Sequence, residues 1–159
     1  LWLDQGFLPA AAGVAVERLW ESLERSGPER LYSSIVVLDE WLAHLRSHGA
    51  PDDRTLALVG RLVSRLAVLR ALSLALTAQL VRGERPEAAA ALYKDFGTAF
   101  EQDLPALIAD AIAAQPDVLP PEKLMRTLAY ATTMSPTYSL RGGTREILRG
   151  MIARGLGMR

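Results

Sequence analysis

Cysteine is absent, which excludes disulfides and thiolate chemistry. Histidine is reduced to His44 and His48. Their i,i+4 spacing suits one helix face, but a metal site needs a third ligand and none is suggested, so no metal is expected. Lysine is confined to Lys94 and Lys123, and the rest of the basic charge is arginine. Acids and bases balance to a net charge of +0, so no global field draws in nucleic acid or an acidic membrane. Aromatics make up 6% of the chain, too sparse to interleave with basic residues along a nucleic-acid groove. There is no Gly-x-Ser-x-Gly nucleophile elbow and no phosphate loop of the Walker type. The longest apolar run, 66–80, is interrupted by Arg70, Ser73, Thr77 and Gln79, which reads as a buried helix rather than a membrane span. No basic start followed by an apolar block opens the sequence, so a cytoplasmic location is expected. The first residue is Leu1 rather than Met, and a longer parent chain is expected.

What is present points to a packed helical domain. Half of the 159 residues are hydrophobic, enough for a sizeable core in one domain. Residues 1–13 are expected to be the tail of a preceding β domain or a linker, and 14–159 a helical domain. Val16, Leu19, Trp20 and Leu23 give a short amphipathic helix over 14–25, broken by Ser26-Gly27-Pro28. Pro28 suits the first turn of a helix reaching about His48, with Leu31, Ile35, Leu38, Leu42 and Leu45 on one face. Asp52 or Asp53 can cap the next helix, over 54–81. There Leu58, Leu62, Leu66, Leu69, Leu72, Leu76 and Leu80 alternate three and four apart, with Arg54, Arg61 and Arg65 on the outer side. A further helix is expected over 86–115, with Ala90, Tyr93, Phe96, Phe100, Leu104, Leu107 and Ile108 inward and with Gly97 and Pro105 as weak points. A short helix over 122–132 follows, running through Leu124, Met125, Leu128 and Ala129. The expected fold is all-α: an antiparallel four-helix bundle with short extra helices.

The last stretch is a polar loop, the glycine pair Gly142-Gly143, and a helix. Thr144 can cap that helix with its hydroxyl, and Ile147, Leu148, Met151 and Ile152 form its apolar stripe. The glycines permit close backbone approach to a ligand, and the N–H groups of a helix start favour anions. Arg141, Arg145, Arg149 and Arg154 gather around this helix and read as a solvated face. Glu29, at the expected start of a helix, either complements the helix dipole or, if buried, serves as a general base.

The pattern Gly142-Gly-Thr-x-Glu-Ile-x-Arg-x-x-Ile-Ala-Arg-x-Leu-Gly157 resembles the C-terminal signature of the acyl-CoA dehydrogenase family. Glu24-Arg-Ser-Gly-Pro-Glu-Arg-Leu31 is similar to the start of that family's C-terminal helical domain. The resemblance implies an FAD-dependent oxidoreductase that desaturates an acyl-CoA thioester: a glutamate removes the α proton while the β hydride passes to FAD. It implies Glu29 as that base, in the placement of the long-chain and isovaleryl types, because the alternative position is Gly142. It also implies that Gly142, Gly143, Thr144 and Glu146 lie near the flavin, and that the bundle assembles into homo- or hetero-oligomers. Arg46-Ser47-His48-Gly49 stands where many members have Arg-x-x-x-Phe-Gly, and 113–117 where many have Leu-Gly-Gly-x-Gly. These departures leave open a non-catalytic assembly subunit of the same lineage, and the Leu-, Ala- and Arg-rich helical composition leaves open the ligand-sensing helical domain of a transcriptional regulator.

Overall fold

Each helix boundary has a local cause. The structure, a computed structural model, describes residues 34–49, 51–140 and 143–158. Among these are five α-helices, α1 (Ile35–Ser47), α2 (Asp53–Val81), α3 (Glu87–Ala113), α4 (Glu122–Met134) and α5 (Arg145–Gly155), plus a 3-10 helix (Ser135–Leu140). The described chain is all-α, without a strand. Of the two possible caps for α2 it is Asp52 that acts: its Oδ1 accepts the Thr55 N–H at 2.6 Å. No helix of the described residues is long and apolar enough to cross a membrane. The expected elements over 1–13 and 14–25, and the Pro28 start of the first bundle helix with Leu31, lie outside the described residues.

α3 is the hub, touching α1, α2, α4, the 3-10 helix and α5. It runs through Pro105 without a break. Proline has no N–H, so the Glu101 carbonyl one turn earlier loses its helical donor. The buried Ser34 hydroxyl, just ahead of α1, donates to that oxygen at 3.4 Å. The proline expected to weaken α3 thus creates an attachment point for α1. Trp41, Phe100, Leu104, Ile108 and Leu124 are wholly buried where α1, α3 and α4 meet. Lys123 Nζ lies 3.1 Å from Glu40 Oε1 and ties α4 to α1.

Several faces are turned from the expected orientation. On α1 the buried side is Val37, Leu38, Trp41, His44 and Leu45, because one indole outweighs the leucine row. Phe96, expected inward, is 53% exposed, and Asp95 next to it takes the sheltered position. Met125 and Ala129 are likewise exposed on α4, where Leu124, Leu128 and Ala131 face in. Arg65 does not stand free on the outside of α2: its Nη2 meets Asp103 Oδ2 at 2.9 Å, and its guanidinium lies 5.4 Å from the Phe100 ring centroid.

Candidate functional site

Gly143 has φ +102°, a left-handed conformation that side-chain-bearing residues rarely adopt. Glycine there is required by the backbone rather than by crowding, since a Cβ would meet the Leu148 and Ile147 side chains only at ordinary contact distance. Thr144 follows in an extended conformation, and its carbonyl accepts the Leu148 N–H at 3.0 Å, opening α5. Its hydroxyl makes no capping bond to the helix, contrary to the expectation from sequence. Glu146 lies in the first turn of the helix. Its carboxyl is held below the ordinary carboxylate range by its own backbone N–H and by the Thr144 hydroxyl, with Arg149 and Arg145 adding favourable charge. The exposed carboxylate is therefore ionised and sits at the positive end of the helix.

The arginines of α5 are organised around one acid. Asp95 of α3, its side chain 14% exposed, has Oδ1 2.8 Å from Arg145 Nε and Oδ2 3.7 Å from Arg149 Nε. The hydrogen bond from Arg145 to Asp95 holds the guanidinium above its usual range, Asp103 contributing at longer distance. Arg145 thus ties the first turn of α5 to α3, which corrects the expected solvated face at that position, while Arg149 and Arg154 stay exposed. Sequence reasoning missed Asp95; the signal for it was the i,i+4 spacing of Arg145 and Arg149, which places both on one helix face. At the other end of α5, a Cβ on Gly155 would overlap the Cβ of Ala88. The start of α5 lies by Asp95 and its end by Ala88, so α5 runs opposite to α3.

Of the residues expected in the site, Gly143, Thr144 and Glu146 form this turn, while Glu29 and Gly142 lie outside the described residues, as does Arg141. Leu140 and Ile147 stand exposed on either side of the turn in sequence. Around the turn stand a hydroxyl, an ionised carboxylate and exposed aliphatic side chains. The ionised Glu146 makes the same spot unfavourable for a bare diphosphate, which revises the anion-binding reading.

A separate cleft lies near the far end of α3, lined by Trp41, His44, Leu45, Thr55, Ala111, Ile112, Gln115 and Val118, with room for about one water molecule. Gln115 Nε2 donates to Thr55 Oγ1 at 3.1 Å and, at 3.4 Å, to Asp52 Oδ2. Asp95 and Ala111 are sixteen residues apart on α3, about 24 Å along its axis, so cleft and turn are distinct places. His44 is 7% exposed, and its Nδ1 has no hydrogen-bond partner within the structure. The His48 ring lies 4.4 Å away, and no group of three or more potential metal ligands occurs among the described residues. No protein-family model matches this chain, and no curated protein or solved structure matches it.

Proposed function

We propose that the chain is the C-terminal helical domain of an FAD-dependent acyl-CoA dehydrogenase, its four main helices forming an antiparallel bundle. The observation that carries this reading is the turn at 143–146. A left-handed glycine, a hydroxyl and an ionised carboxylate open a helix that the Arg145–Asp95 ion pair ties to the hub of the fold. These are the residues in which the sequence resembles that family.

In this reading Ile147 and Leu140 offer aliphatic surface to a flavin ring, and Thr144 and Glu146 offer partners to hydroxyls. FAD, when bound, supplies the acceptor for the β hydride of the acyl-CoA. Glu29 removes the α proton, and its neighbour Arg30 favours the ionised, proton-accepting form. A further observation supports this pairing. Ser34, five residues after Glu29, meets α3 at Glu101, about 9 Å along the helix axis from Asp95. Ser34 and the start of α5 therefore contact the same stretch of the hub. Assembly belongs to the same reading: Leu56, Val63, Leu74 and Val81 are exposed along one side of α2, a surface suited to another helix. The partners are then an acyl-CoA and further subunits, with no nucleic acid, in the cytoplasm.

The test is the complete protein, purified and assayed with acyl-CoA substrates and an artificial electron acceptor. Bound flavin is expected, and Glu29→Gln should retain it while losing about 100-fold or more of the turnover. Undiminished turnover in flavin-loaded Glu29→Gln would remove Glu29 as the base. A properly folded protein with neither flavin nor turnover would overturn the reading as a whole.

A further inference from the structure

We infer that the outward side of α2 pairs with α2 of a second copy of this chain, antiparallel, about a two-fold axis that passes between Ala67 and Ala71. The inference rests on the assembly part of the functional reading, not on its chemistry, and gives that assembly a partner and a register.

α2 packs on α3 with Leu58, Leu62, Leu69 and Leu76 buried, and the side turned away from them is apolar as well. Leu56, Val63, Leu74 and Val81 each stand about half exposed there. Between them lie small exposed residues, Gly60, Ala67, Ala71 and Ala78. A Cβ added to Gly60 would meet nothing within 4 Å. From Leu56 to Val81 the members recur three or four residues apart, so they keep to one side of the helix along its length. None of them is charged. Single exposed apolar residues are ordinary, but a continuous stripe of them marks an interaction surface.

The order of sizes names the occupant. Read from either end, the stripe runs large, small, large, small, small, large, small, large. A two-fold interface demands this, because what residue i presents to residue j must also be presented by j to i. Laid antiparallel, Leu56 of one copy meets Val81 of the other, Gly60 meets Ala78, Val63 meets Leu74 and Ala67 meets Ala71, each contact occurring twice. Small residues opposed at the centre let the two backbones approach closely, and the larger pairs fill the space on either side. Arg70, the charge nearest the stripe, lies at its edge, where an arginine stem covers apolar surface with its head in water.

The ends select the same direction. The start of α2 carries two acids and one base, Asp52, Asp53 and Arg54, and the turn after it carries one acid and two bases, Glu84, Arg82 and Arg85. Antiparallel pairing joins opposite net charges and opposite ends of the helix dipoles, whereas parallel pairing sets like beside like. The area is adequate. With 29 residues α2 is about 43 Å long, and at about 10 Å width its outward side covers about 430 Å². Two copies enclose about 860 Å² in projection, close to the roughly 1,000 Å² of a specific interface before side-chain relief and flanking residues are counted.

The experiment measures self-association of the complete protein by sedimentation equilibrium, for the unaltered chain, Val63→Glu, Leu74→Lys and the double variant. The unaltered protein is expected to associate at micromolar concentration. Each single change sets a charge against an apolar residue of the other copy and should raise the dissociation constant about 100-fold. In the double variant each new carboxylate faces a new ammonium of the other copy, and association should tighten about tenfold or more over either single change. Within one chain the two positions are about 16 Å apart along the helix, too far to pair, so recovery reports a contact between copies in this register. Circular dichroism and thermal unfolding are followed for each variant. If Val63→Glu does not fold, Gly60→Glu with Ala78→Lys is read in the same way. A monomeric unaltered protein overturns the inference. So does association unchanged by the single substitutions, which puts the contact elsewhere, and so does a double variant no tighter than the single ones, which gives α2 a different occupant. Flavin content and turnover are read on the same samples. A monomer that holds flavin and turns over sinks the inference and leaves the chemistry of the functional reading standing; a charge-swapped pair that recovers association without flavin keeps the inference and removes that chemistry.

Discussion

The two ends of α3 are built on different principles. Toward its C-terminal half, Leu104, Pro105 and Ile108 are enclosed by Trp41, Leu38 and Leu124 from the neighbouring helices. Toward its N-terminal half, where Ala91, Tyr93 and Thr98 are also buried, α5 lies closely along α3 through Leu148, a glycine–alanine contact and the Arg145–Asp95 hydrogen bond. Burial is proportional to area and indifferent to small rotations, so it supplies stability. The ion pair and the small-residue contact are satisfied in only a narrow range of orientations, so they supply placement. The difference teaches that α5 carries orienting contacts in addition to the burial both ends share.

The comparison breaks if the two ends respond alike to damage. Trp41→Ala should cost about 3–5 kcal/mol of global stability, read by denaturant unfolding, since it opens a cavity among residues that cannot follow it. Gly155→Val should cost less, about 1–3 kcal/mol, and should act locally by forcing α5 away from Ala88. Amide hydrogen exchange is the discriminating measurement. Gly155→Val should speed exchange in 147–155 and leave the α1 and α4 amides protected, whereas Trp41→Ala should lower protection throughout. The exchange of small residues, Ala88→Gly with Gly155→Ala, should restore most of the protection, because one methyl group is again shared across the contact. Global loss of protection in Gly155→Val would mean that α5 is part of the core after all.

The sequence disclosed the packed end better than the positioned one. Leu58, Leu62, Leu69 and Leu76 recur at helical spacing, and all four are buried on α2 as that spacing implied. The breaks at Pro51, Pro86 and Pro121 announced where helices begin. Periodicity cannot weigh one large side chain against several small ones, so Trp41 and His44 were missed on the buried side of α1. It is equally blind to pairing between distant acids and bases. Arg65 and Arg145 look solvent-bound from local sequence, yet their carboxylates come from thirty-eight and fifty residues away. The candidate site shows the same division. Gly143 stood out as a point of close backbone approach, and the structure uses it for a left-handed turn, whereas the capping bond expected of Thr144 is not made, an outcome of side-chain geometry that spacing does not disclose.

The link between Pro105 and Ser34 sharpens the packed end on a smaller scale. Ser34→Ala leaves the Glu101 carbonyl without a donor and should cost about 1 kcal/mol. Pro105→Ala restores a backbone N–H one turn on, so Ser34→Ala should cost less in that background. A double-mutant cycle of unfolding free energies is expected to show a coupling of about 0.5–1 kcal/mol. Strict additivity would mean that Ser34 is buried for shape alone, and the attachment of α1 to α3 at that carbonyl would have to be abandoned.

The smallest expected effect lies in the cleft at the packed end, and its sign follows from burial. Enclosure disfavours the charged imidazole of His44, and the nearby His48 acts in the same direction, so its proton affinity in the folded chain falls below the ordinary value of 6.5. Asp52 and Gln115 border the same region, but they bond to each other and to Thr55 rather than to the free Nδ1. Above the unfolded value both states are neutral at this position and stability is complete. As pH falls below it the unfolded chain binds the proton first, and stability declines by at most about 1.4 kcal/mol per pH unit. The decline levels off below the folded value, where both states are protonated. His44→Phe removes the titrating group while keeping a planar ring against Trp41 and Leu45. Its unfolding free energy, measured by denaturant titration from neutral pH into the acid side of this window, should fall less steeply than that of the unaltered protein. Equal slopes would mean that the imidazole is charged or hydrogen-bonded in the folded chain, and the packed end would then contain a polar constraint of the kind otherwise found under α5.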